Sequence, residues 1–333
     1  MDYILLLSIL VSFLSVLIFL PIWIKKCKQT QMLWEDMNKK NHPKNVASSG
    51  GVIVILGFIL GIFTYLFLKN FITGRSSFET QIFALIGVIL LFCVIGLVDD
   101  LLGWKKGGLS IKFRIFMAMF ASIPLIIINA GIQTITLPFL GPVYLGLIYP
   151  FIILPLAIGF VSTTFNFLAG FNGLEAGMGV LMLGFLSFIA YFTGSFWLSI
   201  VGLCMVFALL GFLIFNWCPA KVFPGDILTY SIGALLVSMA VLGNFEKLLL
   251  IIYIPYFTEV LLKLRGKLKK QSFGKVNKEG YLELPYPKVY SLTHLSILIL
   301  SKFKKNVREK DVVYLIYSIE ILFILIATLF LIA

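Results

Sequence analysis

Apolar runs long enough to cross the hydrocarbon core of a bilayer recur along the whole chain, and no other feature constrains its fold as strongly. Lipid offers backbone N–H and C=O groups no partners, so a run of about 20 apolar residues must satisfy them internally, as a helix. About ten such runs are legible, at 3–24, 51–68, 81–98, 114–130, 146–165, 177–193, 196–215, 227–243, 246–264 and 312–332. Gly194–Ser195 is the weakest divider, so counts of about nine or about eleven stay open. With 60% hydrophobic and 13% charged residues among 333, the chain is excluded from the ordinary soluble class. The expectation is an all-α polytopic membrane protein forming a single integral membrane domain over 1–333. The first run is not read as a cleaved signal peptide, because Lys25, Lys26 and Lys28 follow it and no small-residue cleavage site closes it.

Basic residues set the expected orientation. Lys25 to Lys44, then Lys105, Lys106, Lys112 and Arg114, then Lys221, and finally the dense stretch Lys263–Lys310 fall on one side. The other side holds only Lys69, Arg75 and Lys247. The positive-inside rule therefore puts the basic loops in the cytoplasm and both termini outside. The net charge of +12 also suits a surface that meets anionic lipids and phosphates. Nucleic acid is not expected as a partner, since the charge runs along a membrane edge and no recognition module is present.

One long loop interrupts the tightly connected chain, from about 265 to 311. Its first half reads as a β-hairpin, Phe273–Asn277 and Tyr281–Leu284 around Lys278–Glu279–Gly280. Its second half, Val289–Phe303, is too short and polar to span and reads as a helix in the membrane interface. Cys27, Cys93, Cys204 and Cys218 have no metal or disulfide spacing and read mostly as packing residues. His42 and His294 read as solvated or interfacial rather than catalytic.

Four polar stretches fall on the cytoplasmic side: Glu35–Lys39, Val98–Asp100, Asn166–Glu175 and Asn216–Asp226. Carboxylates at the ends of apolar helices are costly beside lipid, which makes them functional candidates by default. Asp99 and Asp100 offer a paired carboxylate for a cation, a basic group or a proton; alone, they read equally well as a helix returning to water. Asp226 follows Pro224–Gly225 and opens a helix, where an acidic residue also favours the dipole. Asn166 and Asn172 flank a turn containing Gly170, and glycines there let backbone amides approach a phosphate. Together these residues supply hard oxygen ligands, cations and glycine turns, a set suited to Mg²⁺ and a diphosphate.

The order and spacing of these motifs resemble the polyprenyl-phosphate N-acetylhexosamine-1-phosphate transferases, over nearly the whole chain. The likeness is greatest to the dolichyl branch, through Asp-Met-Asn-Lys at 36–39, Val-Asp-Asp at 98–100, Asn-x-Leu-Ala-Gly-x-Asn-Gly-Leu-Glu-Ala-Gly at 166–177 and Asn-Trp-x-Pro-x-x-Val-Phe-x-Gly-Asp at 216–226. The resemblance implies ten spans and a cytoplasmic active site. It implies Mg²⁺-dependent transfer of sugar-1-phosphate from a UDP-sugar to a polyprenyl or dolichyl phosphate, with UMP released; Mn²⁺ is the alternative ion. It assigns Asn166 and Asp226 to the metal, Asn172 and Phe223 to uracil, Asp99 and Asp100 to the paired aspartates, and Lys112 or Arg114 to phosphate. Glu35, Asp36, Met37 and Glu175 join the substrate candidates. Two departures bear on the sugar. The bacterial branch has an aspartate where Ala169 stands and a last-loop histidine cluster that is missing here, and the eukaryotic His-Arg-x-x-Arg loop is replaced by Lys269, Lys270, Gln271 and Lys275. Those three lysines are accordingly expected to read the sugar.

The expected substrate is UDP-N-acetylglucosamine, in the first step of lipid-linked oligosaccharide synthesis, with another UDP-amino sugar as the alternative. Phosphoryl transfer rests on positioning and charge stabilisation. A phosphate monoester is largely ionised at pH 7, its second pKa being about 6, so Asp99 and Asp100 are expected to position rather than to take a proton. A transporter or flippase is the rival class. It would line a path near the bilayer midplane between repeats, whereas no repeat is visible and the acidic residues gather at one face. The oligomeric state stays open, a homodimer included.

Overall fold

The computed structural model describes residues 2–74, 78–106, 108–137 and 141–332. Arg75, an external marker in the orientation above, lies outside the described residues, as does the side chain of Lys112. In chain order the elements are α1 (Asp2–Gln29), β1 (Leu33–Glu35), β2 (Lys44–Ala47), α2 (Gly51–Leu68), α3 (Glu79–Lys106), α4 (Ile111–Ala121) and α5 (Ile123–Ile127). They continue with β3 (Thr134–Leu137), β4 (Gly141–Tyr144), α6 (Leu154–Phe165), α7 (Leu174–Phe192), α8 (Phe196–Asn216), α9 (Gly225–Gly243), α10 (Glu246–Ile252) and α11 (Ile254–Arg265). The last are β5 (Lys275–Val276), β6 (Leu282–Glu283), α12 (Leu292–Phe303) and α13 (Glu309–Ile332).

Among the described residues seven helices are long and apolar enough to cross a membrane: α1, α2, α3, α7, α8, α9 and α13. The remaining three apolar runs are broken. Residues 114–130 divide at Ser122 into α4 and α5, 146–165 begin as a π-helical turn before α6, and 246–264 divide at Tyr253 into α10 and α11. Pro124, Pro155 and Pro255 sit in the first turns of α5, α6 and α11, where a missing N–H costs nothing but a continuous helix through the proline would lose a bond. Gly194, at φ 82°, separates α7 from α8 cleanly.

α9 is the most enclosed of the long helices, with 83% of its apolar window buried. It packs against α3 and α6 most extensively. At Gly96 of α3 an added Cβ would stand 2.5 Å from the Cα of Ile227, so only glycine lets α3 lie this close to α9. That approach carries Asp99 and Asp100, one turn further on, to the first turn of α9.

Among the described residues the strands form two-stranded antiparallel pairs: β1–β2, β3–β4 and β5–β6. The expected hairpin of the last loop is present as β5–β6 with Lys275 opposite Glu283, followed by α12. The β1–β2 ribbon was not legible as strands, because its pairing spans a loop of polar residues with no alternating pattern.

Candidate active site

The C-terminal ends of α3, α6 and α8 and the N-terminal ends of α7 and α9, with the stretch 33–49 between α1 and α2 and Gln271 and Phe273 of the last loop, meet around one cavity of about 720 Å³. The four polar stretches read from the sequence all reach it. Glu35, Asp36, Met37, Asp99, Asp100, Arg114, Asn166, Glu175, Phe223 and Asp226 line it. The helix directions place both chain termini at the opposite end of the bundle.

The paired aspartates are heavily engaged. Asp99 is 1% exposed. Its Oδ1 accepts from the Leu109 N–H at 2.7 Å and from Arg114 Nη2 at 3.2 Å, and its Oδ2 accepts from the Tyr230 hydroxyl at 2.8 Å and stands 2.7 Å from Arg114 Nε. Asp99 thus fixes the guanidinium at the cavity wall. Asp100 Oδ1 accepts from the Asp226 N–H at 2.8 Å, and its Oδ2 accepts from Ser49 Oγ at 2.9 Å. Pro224, the residue preceding α9, has no side chain able to cap it, so Asp100 caps that helix from α3. Both carboxylates thus hold neighbouring groups in place, Asp99 the Arg114 guanidinium and Asp100 the first turn of α9.

Asp226 differs. Asn166 Nδ2 donates to its Oδ1 at 2.8 Å, and the Tyr230 hydroxyl stands at the 3.5 Å limit from its Oδ2. Asn166 Oδ1 has no hydrogen bond among the described residues. One carboxylate oxygen and one amide oxygen therefore face the cavity nearly uncommitted. No group of three or more His, Cys, Asp or Glu side chains forms an all-protein metal cage among the described residues. Mg²⁺ does not require one, since it prefers one or two protein oxygens with substrate phosphate and water. Charge points the same way. Among the described residues six carboxylates line the cavity (Glu35, Asp36, Asp99, Asp100, Glu175, Asp226) against two cations, Lys44 and Arg114. An anionic diphosphate would be repelled there without a further cation.

Beside this half lies a second polar cluster. Asn172 Nδ2 donates to Asp36 Oδ2 at 2.9 Å, and the Asn172 N–H to Glu309 Oε1 at 2.8 Å. Glu309 also pairs with Lys39 and accepts from the Cys218 thiol at 3.2 Å. Burial alone would lower the Lys39 ammonium, but the carboxylates of Glu309 and Asp36 outweigh it and hold Lys39 above its ordinary value. Asn172 is consequently part of the cavity's supporting wall rather than its lining. Glu309 and Ser49 went unread in the sequence. The signal for Glu309 was an acidic residue opening the last apolar run; for Ser49 nothing distinguished a serine before two glycines.

The last loop is placed differently from the expectation. Lys269, Lys270 and Lys275 do not line the cavity; Lys270 Nζ lies 4.7 Å over the Tyr286 ring, and all three are exposed. Gln271 and Phe273 reach the cavity instead. His294 is buried, not solvated. Its Nδ1 accepts from the Tyr290 N–H at 3.4 Å, and Nε2 lies 3.2 Å from the Phe273 carbonyl. Burial, opposed by that hydrogen bond, pushes its pKa down to about 4, so the ring is neutral at pH 7 and pins Phe273.

The sequence model of glycosyl transferase family 4 matches residues 82–244, from α3 through α9. A relative in Saccharolobus solfataricus is 39% identical over 97% of this chain and 96% of its own length. The chain belongs to glycosyl transferase family 4. That relative carries a provisional name, UDP-N-acetylglucosamine–dolichyl-phosphate N-acetylglucosaminephosphotransferase. A relative with the same provisional name in Sulfolobus acidocaldarius is 37% identical over 98% of this chain and 95% of its own. The phospho-N-acetylmuramoyl-pentapeptide-transferase of Streptococcus mutans is 30% identical over 75% and 76%. The family stretch contains Asp99, Asp100, Arg114, Asn166, Glu175 and Asp226, so the acidic half of the cavity of this family-4 transferase lies inside it.

Proposed function

We propose that this transferase moves N-acetylglucosamine-1-phosphate from UDP-N-acetylglucosamine to dolichyl or another polyprenyl phosphate, releasing UMP. One observation carries the reading: the uncommitted oxygens of Asp226 and Asn166 face the same cavity as an Asp99-fixed Arg114. A metal site and an immobilised cation side by side are what two reacting anions need. The names of the 39%- and 37%-identical relatives support the substrates.

Asp226 and Asn166 would hold Mg²⁺, or Mn²⁺ in its place, and the ion would supply positive charge for the diphosphate and the departing UMP. Arg114 screens the incoming lipid phosphate. Lys112 is the other candidate for that contact. A phosphate oxygen of the acceptor attacks the sugar-bearing phosphorus, the P–O bond to UMP breaks, and UMP departs with the bridging oxygen. Because the acceptor is already ionised near pH 7, no residue need abstract a proton. Asp99 keeps Arg114 still, while Asp100 and Ser49 keep the first turn of α9, and with it Asp226, at a fixed distance. Phe223 and the Asn172 turn bound the nucleoside end.

The chain crosses the membrane ten times in this reading, the broken runs 114–130, 146–165 and 246–264 supplying the three crossings beyond the seven long helices. The cavity then opens to the cytoplasm, and both termini lie outside. Purified protein with polyprenyl phosphate, Mg²⁺ and a panel of UDP-sugars tests the function. UMP release with UDP-N-acetylglucosamine, abolished by EDTA and restored by Mg²⁺, is expected. No release with any UDP-sugar would refute the reading.

A further inference from the structure

We propose that Asn38 is a positioning residue that locks the last loop onto the glycine turn and so shapes the donor side of the cavity. The inference rests on the transferase reading above. Asn38 is 3% exposed and does not itself line the cavity. Each polar atom of its side chain holds a different segment. Nδ2 donates to the Gly170 carbonyl at 2.7 Å, and Oδ1 accepts from the Gly274 N–H at 3.2 Å. Its own N–H donates to Asp36 Oδ1 at 3.3 Å, which fixes Asn38 to the stretch it comes from. Three segments distant in sequence meet at this one amide: 33–47, 166–173 and 271–276.

What the amide aligns is a cavity wall. The Phe273 ring lies against Gly170, where an added Cβ would be 2.6 Å from Phe273 Cε1. Gly170 has φ +99°, so a side chain is disfavoured there twice over. The loop is otherwise tied mainly to its own helix: the Ser272 carbonyl accepts from Thr293 Oγ1 at 2.6 Å, and the Phe273 carbonyl meets His294. Those bonds move with α12. Across the cavity, the ties are Asn38 to Gly274 and Ser272 Oγ to the Phe167 carbonyl at 3.3 Å. Losing Asn38 leaves Phe273 and Gln271 placed by α12, by the long Ser272–Phe167 bond and by Lys263 of α11, which donates to Ser272 Oγ and the Lys270 carbonyl. The donor then meets a wall that must be ordered on binding, and that ordering weakens donor affinity without touching the transfer step.

The test compares full-length wild type with Asn38→Ala in lipid nanodiscs. Without any substrate, hydrogen exchange at residues 272–276 should accelerate in the variant, with the thermal midpoint changed by only a few degrees. In turnover, donor KM should rise about tenfold, the worth of one or two neutral hydrogen bonds, with kcat and acceptor KM within about twofold. Unchanged exchange, or unchanged donor KM, overturns the proposal. So does a parallel fall in kcat and thermal midpoint with donor KM intact, the signature of a merely structural residue. Asn38→Asp keeps an acceptor for Gly274 and loses the donor to Gly170; it serves if the alanine variant does not fold, with the same donor-selective rise expected. A wild type that turns over no UDP-sugar refutes the transferase reading instead, and the exchange arm then decides whether Asn38 holds the loop.

Discussion

Replacing Asp99 by Asn separates a positioning carboxylate from a catalytic base. The substitution keeps the shape but puts an NH₂ group where the three groups that bond to Asp99 are donors: the Leu109 N–H, the Arg114 guanidinium and the Tyr230 hydroxyl. It also removes the buried partner of Arg114, whose side chain is 22% exposed against 0% for Asp99. Breaking a buried ion pair from one side costs about 3–5 kcal/mol, and the partial exposure of Arg114 places this pair near 3. Released from Asp99, the guanidinium no longer points at a fixed place, so kcat should fall by about 10²–10³, the usual loss for one misplaced charge-stabilising donor. The decisive assay is a double-mutant cycle with Arg114→Gln, reading kcat/KM between pH 6 and 9. If Asp99 works through Arg114, the double variant is no worse than the worse single one, and the residual activity keeps the wild-type pH profile. Losses that multiply, or an acidic limb that disappears in Asp99→Asn alone, would show that Asp99 acts on the acceptor directly and would refute the positioning argument.

Asp226→Asn should collapse turnover and Mg²⁺ dependence while the protein stays folded, and Asn166→Ala should be similarly damaging; Glu246→Gln, at the other end of the bundle, should leave turnover near wild type. Near-normal turnover of Asp226→Asn at ordinary Mg²⁺ would refute the metal assignment. Glu309→Ala strands the Asn172 N–H, Lys39 and the Cys218 thiol together, so UMP affinity measured by calorimetry should weaken at least tenfold, whereas Glu309→Gln should recover part of it. His294 is neutral in the fold with a pKa near 4 against 6.5 when free, so its contribution is complete above about pH 6.5 and is lost as pH falls towards 4. The protection factor for hydrogen exchange at 271–274, that is the rate corrected for its intrinsic pH dependence, should therefore fall between pH 7.5 and 5, and His294→Gln should abolish that fall.

The membrane helices were legible because lipid leaves the backbone no alternative: runs such as 51–68 and 196–215 coincide with α2 and α8 to within a residue or two. The broken runs were not, since a proline in a first turn and a proline inside a helix look alike in the chain, as Pro124 and Pro21 show. The acidic half of the cavity was legible because carboxylates stand out against apolar sequence. Its supporting contacts were hidden. Asn38, Ser49 and Tyr230 act through hydrogen bonds to partners scores of residues away, and no local pattern marks such a bond. The lysines of the last loop are conspicuous for the opposite reason. Their charge is conspicuous, yet Lys270 spends it on tyrosine rings while the neutral Gln271 and Phe273 reach the cavity.

Most of the carboxylates at this end of the bundle answer to a backbone N–H, either of another segment or of a neighbouring turn. Asp100 caps α9 at Asp226, Asp99 holds Leu109, Glu175 holds Gly170 at 2.8 Å, Glu309 holds Asn172, and Asp36 holds Asn38. Each such bond satisfies a donor that a helix end or a tight turn would otherwise leave orphaned, worth roughly 0.5–2 kcal/mol in the manner of a helix cap. A carboxylate so engaged cannot give the same lone pair to a metal without releasing the backbone. Asp226 and Glu35 are the lining carboxylates with no backbone obligation among the described residues, and of the two Glu35 is exposed. Asp226 alone combines shelter, an oxygen engaged by nothing closer than the Tyr230 hydroxyl at 3.5 Å and a position fixed by its neighbours' caps. The same fine motif that looks like redundancy in the sequence, several acidic residues converging on one cavity, therefore divides into a scaffold that holds backbone and one oxygen left over for chemistry.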